Sequence, residues 1–216
     1  MKVLVVDDHA LIRDALARVL TGLVPDVAVR EAATPAAAFE VIDREPDLDL
    51  VLLDLALPGM HGLTALQTLR RRHPSVSVVV VSASAERDTV QRALDDGALG
   101  FIPKSSSNEV LKNALALVLA GGVYLPPELI GRAAAPVESA AAGRRSPADI
   151  GLTERQAQIL ALMMKGESNK MICRELRLAE STVKNQVTAI LKALNVTSRT
   201  QAVLAVARLG LALPAL

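Results

Sequence analysis

Short apolar runs, rich in β-branched residues, alternate with stretches of helical periodicity through the first half of the chain. Such runs predict strands that are buried on both faces of a sheet, and the stretches between them predict helices. The predicted strands span 2–6, 27–31, 48–53, 76–81 and 100–102. Strands separated by helices favour parallel pairing, so we expect a doubly wound, five-stranded parallel α/β domain.

The pattern changes after a predicted helix at 107–120. Residues 124–150 are rich in Ala, Pro, Gly and Ser and show little periodicity, which is typical of a linker. From residue 151 onward the periodicity is entirely helical. We therefore predict a first domain at 1–123, a linker at 124–150 and a second domain at 151–216.

Local signals divide the second domain into four helices. Thr153 with Gln156, and Ser198 with Gln201, have the spacing of capping boxes that open a helix. Ser168 begins a short helix, and a tight turn at 178–180 leads to the helix STVKNQVTAILKALN. Two short helices that meet at a tight turn predict an all-α, four-helix helix-turn-helix domain.

Composition and charge narrow the class of protein. Residues 1–123 carry 12 Lys+Arg against 16 Asp+Glu, whereas residues 124–216 carry 12 against 7. An acidic half joined to a basic half suggests different partners, with a polyanion as a candidate partner of the second. The single cysteine, Cys173, excludes an internal disulfide and favours a cytoplasmic location, and we expect no membrane segment.

Polar residues that could bind a ligand or take part in a reaction follow the ends of the predicted strands. The set comprises Asp7, Asp8, Asp54, Ser82 and Lys104. The carboxyl ends of parallel strands share one edge of the sheet, where ligands of such folds bind. Three clustered carboxylates repel one another, and a divalent cation removes that conflict. Mg²⁺ prefers oxygen ligands and phosphate oxygens, so the set predicts a magnesium-dependent phosphoryl site in which Asp54 attacks phosphorus.

These residues resemble the receiver domain of bacterial two-component response regulators, through the Asp-Asp pair, the LLDLALPG block, Ser82 and Lys104. The resemblance implies a flavodoxin-like fold in which Asp54 accepts a phosphoryl group from a sensor histidine kinase. It also implies roles for the residues around Asp54. Mg²⁺ would be held by Asp7, Asp8, Asp54 and the backbone carbonyl of Ala56; Ser82 and Lys104 would contact the phosphoryl group; and Phe101 occupies the position of an aromatic switch, here without a hydroxyl.

The third helix of the second domain has two distinct faces. Its apolar residues, predicted to point inward, are Val183, Val187, Ile190, Leu191 and Leu194. Lys184, Asn185 and Thr188 share the other side, with Lys192 one turn on, and such side chains can read base edges in a major groove. Lys170, Ser181 and Thr182, near helix starts, suit phosphates. A polar face that merely meets solvent stays open as the alternative.

The segment from LTERQAQIL to TSRTQAV is similar to LuxR-type DNA-binding domains. That resemblance implies that the STVKN helix enters the major groove and that the last helix often pairs in a homodimer. Together the two resemblances indicate a response regulator of the NarL/FixJ type. Four positions depart from the usual pattern and put the sequence preference in doubt. They are Gln156, Gln158, Ala179 and Gln186.

The expected function is a transcription factor whose receiver domain controls dimerisation and DNA binding. A magnesium-dependent aspartyl phosphohydrolase is the alternative from another class. Such enzymes usually carry an acid two residues after the nucleophile, where this chain has Ala56, so we do not expect an enzyme. A flavin-binding module on the same fold is a third option, but in this chain no phosphate-binding loop rich in Ser, Thr and Gly follows the first strand. A regulator that no longer uses phosphorylation is a fourth possibility that stays open.

Overall fold

The computed structural model describes residues 1–120, 122–126, 146–196 and 198–214; most of the predicted linker lies outside these residues. Strands and helices alternate in the first domain. The strands are β1 (Lys2–Val6), β2 (Ala28–Ala32), β3 (Leu50–Leu53), β4 (Ser77–Ser82) and β5 (Gly100–Pro103). The helices are α1 (Ala10–Leu23), α2 (Pro35–Arg44), α3 (Gly62–Arg72), α4 (Arg87–Asp95) and α5 (Asn108–Leu119). The predicted alternation of strand and helix is confirmed.

All five strands are parallel and lie in the order β2-β1-β3-β4-β5. The register pairs Val6 with Leu53, and Leu53 with Val80. Strands β1, β3, β4 and β5 are therefore consecutive neighbours, and β1 and β3 end at the same level of the sheet. The predicted five-stranded parallel sheet is confirmed.

Successive apolar residues of β1, β3, β4 and β5 enter two different hydrophobic cores, as the pleat requires. One core takes Leu4 and Val6 of β1 and packs against α2, α3 and α4. The other takes Val3 and Val5 and packs against α1 and α5. Burial on both faces explains why these strands are continuous apolar runs without polar alternation.

The second domain begins with a 3₁₀ turn at Pro147–Ile150, and Ile150 packs on the core of this domain. Its helices are α6 (Glu154–Met164), α7 (Asn169–Leu176), α8 (Glu180–Ala193) and α9 (Arg199–Leu209). The capping box of Thr153 and Gln156 is present, and Ser168 and Ser198 each accept a backbone hydrogen bond at a helix start. The last residues of the predicted linker, 147–150, thus form ordered structure next to this domain.

A tight turn joins α7 to α8. Arg177 adopts a left-handed backbone conformation with φ of 52°, which ends α7, and α8 begins three residues later at Glu180. The two helices pack closely, as expected for a helix-turn-helix. None of the helices in the described parts of the chain combines the length and apolar character needed to cross a bilayer.

Candidate functional site

Asp7 and Asp54 lie side by side at the carboxyl edge of the sheet. The backbone N–H of Asp54 donates to the carbonyl oxygen of Val6 at 2.9 Å, and that of Asp7 donates to Ala32 at 3.1 Å. The parallel ladder therefore continues one residue beyond β1 and β3 and fixes both backbones. Both side chains are almost completely buried, at 1% exposure each, so their carboxylates need compensation for lost hydration.

Lys104 supplies that compensation. Its Nζ atom lies 2.8 Å from Oδ2 of Asp54 and 2.6 Å from Oδ2 of Asp7. Burial of the ammonium group favours a lower pKa, but hydrogen bonds to Asp54 and Asp7 outweigh it and raise the pKa of Lys104 above its ordinary value. Lys104 is positioned from β4, because its backbone N–H donates to the carbonyl oxygen of Ser82 at 2.8 Å. The predicted convergence of polar residues on this edge is present in the structure.

A divalent cation fits the same edge. Asp7, Asp8, His9 and Asp54 each place one ligand atom within 4.8 Å of the others. Oδ1 of Asp54 is buried and has no hydrogen-bond partner among the described residues, so one oxygen of the central carboxylate is left for a cation or a phosphoryl group. Oxygen-rich sets of this kind suit Mg²⁺.

His9 belongs to this cluster, although the sequence pattern places it only at the start of a helix. Its Nδ1 atom lies 2.7 Å from Oδ1 of Asp8 and 3.2 Å from Oδ1 of Asp7. Arg13 is a second neighbour that sequence reasoning missed, since its Nη1 donates to the carbonyl oxygen of Asp7 at 2.8 Å. The adjacency of the histidine to the acidic pair was the available signal.

Ser82 is buried at the end of β4, and Phe101 of β5 is completely buried in the core below it. Ala56 lies on the exposed loop that follows Asp54. This loop is held against α3, since the N–H of Gly62 donates to the carbonyl oxygen of Leu55 at 3.2 Å. A Cβ atom at Gly62 would lie 2.2 Å from the Cα of Leu55, so only glycine allows this approach.

The two faces of α8 are largely as predicted. The inward residues are all buried: Val183, Val187, Ile190, Leu191 and Leu194. Ser181, Asn185 and Lys192 are exposed, and Thr182 and Thr188 are half-buried. Lys170 is exposed at the start of α7. Most candidate DNA contacts therefore lie on an accessible surface.

Lys184 is different, and the expectation that it faces solvent is wrong in this arrangement. It is 6% exposed, because the first domain covers this side of α8. Its Nζ atom donates to the carbonyl oxygen of Leu48 at 2.9 Å and lies 3.8 Å from Oδ1 of Asp49. Glu180, one turn earlier on α8, is 3.2 Å away.

A second hydrogen bond joins the domains away from α8. Nε2 of Gln201, on α9, donates to the carbonyl oxygen of Asp95 at 2.6 Å. Burial at the interface raises the pKa of Asp49, and nearby Glu180 acts in the same direction. A helix can enter a major groove only when its polar face is free of contacts with the rest of the protein. While Lys184 is held against Leu48, just before β3, its part of this face is covered and the rest is exposed or half-buried.

Two of the four departures from the usual LuxR pattern, Gln156 and Gln158, leave the local hydrogen bonds intact. Gln156 still completes the capping box by accepting from the backbone N–H of Thr153 at 2.9 Å. Gln158 still accepts a hydrogen bond from Arg155, which also donates to the carbonyl oxygen of Leu176. Ala179 provides no side-chain cap for α8, as expected from its missing hydroxyl.

Comparisons with known families agree with this architecture. The profile described as "Response regulator receiver domain" matches residues 3–116, and that described as "Bacterial regulatory proteins, luxR family" matches residues 151–206. The chain is 43% identical over 212 residues to the glycerol metabolism activator of Pseudomonas putida, covering 94% of this chain and 93% of the relative. It is 37% identical over 202 residues to the nitrate/nitrite response regulator NarL of Escherichia coli K12, covering 93% and 92%.

Solved structures that resemble this chain include LuxR-family response regulators. A LuxR-family DNA-binding response regulator from Silicibacter pomeroyi shares 37% identity, with a TM-score of 0.53 over 59% of this chain and 98% of that chain. The relatives are transcriptional regulators, which indicates a regulatory role, and a receiver domain implies a histidine kinase partner. The chain belongs to the response regulators that join a receiver domain to a LuxR-type helix-turn-helix domain and regulate transcription.

Proposed function

We propose that Asp54 is the phosphoryl acceptor of this response regulator and that its phosphorylation frees α8 to bind DNA. The observation that supports this most directly is the burial of Lys184 against the receiver domain while Asp54 is unmodified. One strand connects the two places: Asp54 directly follows β3, and Leu48 and Asp49 directly precede it.

The chemistry at Asp54 requires a free carboxylate oxygen, and Oδ1 is that oxygen. It attacks the phosphorus of a phosphohistidine on the kinase, the phosphorus–nitrogen bond breaks, and an acyl phosphate forms on Asp54. Asp7, Asp8 and the carbonyl of Ala56 would hold Mg²⁺, which when bound neutralises charge on the phosphoryl oxygens. His9 lies close enough to help orient Asp8.

Lys104 is already in place for the product. Its ammonium group now bridges Asp7 and Asp54, and the phosphoryl group offers it a more strongly charged partner. The Ser82 hydroxyl, at the end of the neighbouring strand, would donate to another phosphoryl oxygen. Movement of the β4 loop toward the phosphoryl group changes the packing around Phe101, and this is the two-state element that phosphorylation biases.

Freed α8 would present Lys184, Asn185 and Thr188 to base edges, and contacts to phosphates would fix its register. The phosphate contacts we propose are Lys170, Ser181, Thr182 and Lys192. Two copies on adjacent half-sites would bind as a homodimer, because one helix-turn-helix reads only a few base pairs.

Labelling and DNA binding test this proposal together. Acetyl phosphate with Mg²⁺ should label the wild-type chain and not Asp54→Asn, and labelling should raise the affinity for promoter DNA. Glu86→Gln, an exposed carboxylate in the same domain, serves as the control and should be labelled normally. Labelling that survives in Asp54→Asn would move the acceptor elsewhere, and equal DNA affinity with and without phosphorylation would refute the release of α8.

A further inference from the structure

The two domains enclose a cavity of about 290 Å³ at the amino-terminal edge of the sheet, opposite Asp54. We propose that this cavity is a binding site for an amphipathic carboxylate, meaning a small organic acid with an apolar tail. Such a ligand would hold the domains together. Binding of this ligand depends only on the cavity, whereas the effect of the ligand on DNA binding rests on the proposed release of α8.

The receiver domain forms an apolar floor for the tail. Its residues come from the beginning of the sheet and from the ends of α1 and α5: Met1, Val24, Leu50, Leu99, Val118 and Leu119. Leu50, Leu99 and Val118 are nearly inaccessible to solvent, whereas Met1, Val24 and Leu119 are half-buried. An alkyl or aryl group placed here leaves water without losing any hydrogen bond, which is the favourable case for burial.

The second domain forms a polar wall with positive charge. Lys170, Arg174 and Arg199 line it, together with the first turn of α7. Among the described residues, none of these three cations has a carboxylate within ion-pair distance, although the Glu167 carboxylate acts on Arg199 from farther away. Arg199 instead donates to the backbone carbonyl oxygens of Met163 and Glu167. The positive end of the α7 dipole points the same way, so the wall favours an anion.

Asp49 is the one carboxylate among the described residues that line the cavity, and it is already engaged. Its Oδ2 accepts from the backbone N–H of Lys2 at 2.8 Å, and its Oδ1 faces Lys184. Three cations against one occupied carboxylate leave the lining positive. Burial lowers the pKa of Arg199 to about 10, so its guanidinium remains charged at neutral pH.

The size and chemistry of the lining define the class of ligand. A volume of about 290 Å³ lies near the lower limit for small-molecule sites, which favours a small ligand over a large cofactor. An apolar floor and a cationic wall together select a molecule with one anionic end and one apolar end. Because the floor and the wall belong to different domains, a bound ligand contacts both and favours the closed arrangement by its differential affinity.

Calorimetry with octanoate as the probe tests the binding site in the full-length, unphosphorylated protein. Octanoate should bind with a one-to-one stoichiometry, and hexanoate should bind about fifteenfold more weakly, since each of the two additional buried methylenes raises the affinity about fourfold. Octylammonium, which has the same tail and the opposite charge, should not bind. Equal binding of octanoate and octylammonium, or no octanoate binding, would overturn the proposal.

Variants locate the site. Arg174→Ala should weaken octanoate binding about tenfold, and Arg174→Lys should restore most of it because the charge returns. Arg208→Ala removes an exposed cation of the same domain outside the cavity and should bind octanoate as the wild type does. Leu119→Trp should fill the floor and abolish binding, with a near-unchanged circular dichroism spectrum showing that the chain still folds. If Arg174→Ala binds octanoate normally, the wall is not the anion site.

DNA binding separates this proposal from the proposed function. Octanoate should lower the affinity of the unphosphorylated protein for promoter DNA and slow its response to acetyl phosphate, because ligand and DNA favour different arrangements. Labelling of Asp54 and activation without octanoate test the proposed function alone. Octanoate binding without an effect on DNA would overturn the regulatory role assigned to this site.

Discussion

The Nζ atom of Lys184 donates to the carbonyl oxygen of Leu48 at 2.9 Å, and this hydrogen bond joins the expected recognition helix to the receiver domain. The contact buries a cation that a DNA-bound helix would expose. Hydrogen bonds to charged groups contribute about 1.5–3 kcal/mol, so this one bond supplies a large part of the free energy that favours the closed over the open arrangement.

Replacing Lys184 by methionine should loosen the closed arrangement of the unphosphorylated protein. The variant keeps the apolar stem but loses the donor, so the ratio of closed to open molecules should fall about tenfold or more. Small-angle scattering checks this through a larger radius of gyration. Lys192→Met, an exposed lysine two turns later on α8, is the matched control and should scatter as the wild type does.

Loss of the Lys184 side chain should favour the open arrangement before phosphorylation, but it should weaken DNA binding once the protein is phosphorylated. If Lys184 contacts a base, Lys184→Ala should weaken operator binding by about 1–3 kcal/mol, measured by titration of the phosphorylated protein with labelled DNA. An unchanged affinity would assign Lys184 to the interdomain contact alone. Asn185→Ala provides the comparison, since Asn185 is exposed in the closed arrangement.

Lys104→Ala should destabilise the receiver domain. Asp7 and Asp54 are both buried, and without the ammonium group they repel each other, which should lower the unfolding free energy by about 3 kcal/mol. Mg²⁺ should restore part of the loss in a denaturant titration. The ion pairs raise the pKa of Lys104 above 10.5, so its contribution is complete at neutral pH and is lost as the pH rises through the raised value. A loss at neutral pH that persists unchanged at strongly alkaline pH would contradict this account.

Gly62→Ala should destabilise the protein because the added Cβ atom would lie 2.2 Å from the Cα of Leu55. Relief requires a shift of the loop after Asp54, and we expect a cost of about 2 kcal/mol with weaker labelling of Asp54. Gly22→Ala is the control. Position 22 lies in α1 with nothing within 4 Å of the added atom, so this change should stabilise the helix by about 0.5–1 kcal/mol.

DNA affinity of the phosphorylated protein should fall steeply with salt. Contacts to several phosphates release counterions, so the affinity should drop at least about a hundredfold between roughly 50 and 200 mM salt. Lys170→Ala should reduce the slope of log affinity against log salt by about 1, because one phosphate contact is lost. A slope near zero would contradict the assignment of these residues to phosphates.

Local signals in the sequence predicted most of the fold. Thr34 and Thr153 each accept a hydrogen bond from a backbone N–H three residues later, so their capping roles are visible without any tertiary contact. The convergence of Asp7, Asp54 and Lys104 was also predictable, because a parallel sheet brings the carboxyl ends of its strands to one edge.

Contacts that depend on how two separate elements meet were not predictable. We assigned Lys184 to the polar side of α8, yet it lies at the edge of the apolar stripe, one heptad before Leu191, and the receiver domain covers that edge. Nothing in the pattern around Leu48 indicates that its carbonyl oxygen accepts a hydrogen bond from a residue 136 positions away. The cavity between the domains has the same origin, since its floor and its wall are each unremarkable alone.

The use of Lys184 in the resting contact ties two properties of the regulator together. If Lys184 contacts an operator base as proposed, a substitution at this position that changes the choice of operator also changes the fraction of the protein that is active before phosphorylation. Substitutions at position 184 would therefore change the promoter preference and the level of expression without a signal together. A regulator that acquires a new operator through this residue would then need another interdomain contact to stay inactive without its stimulus.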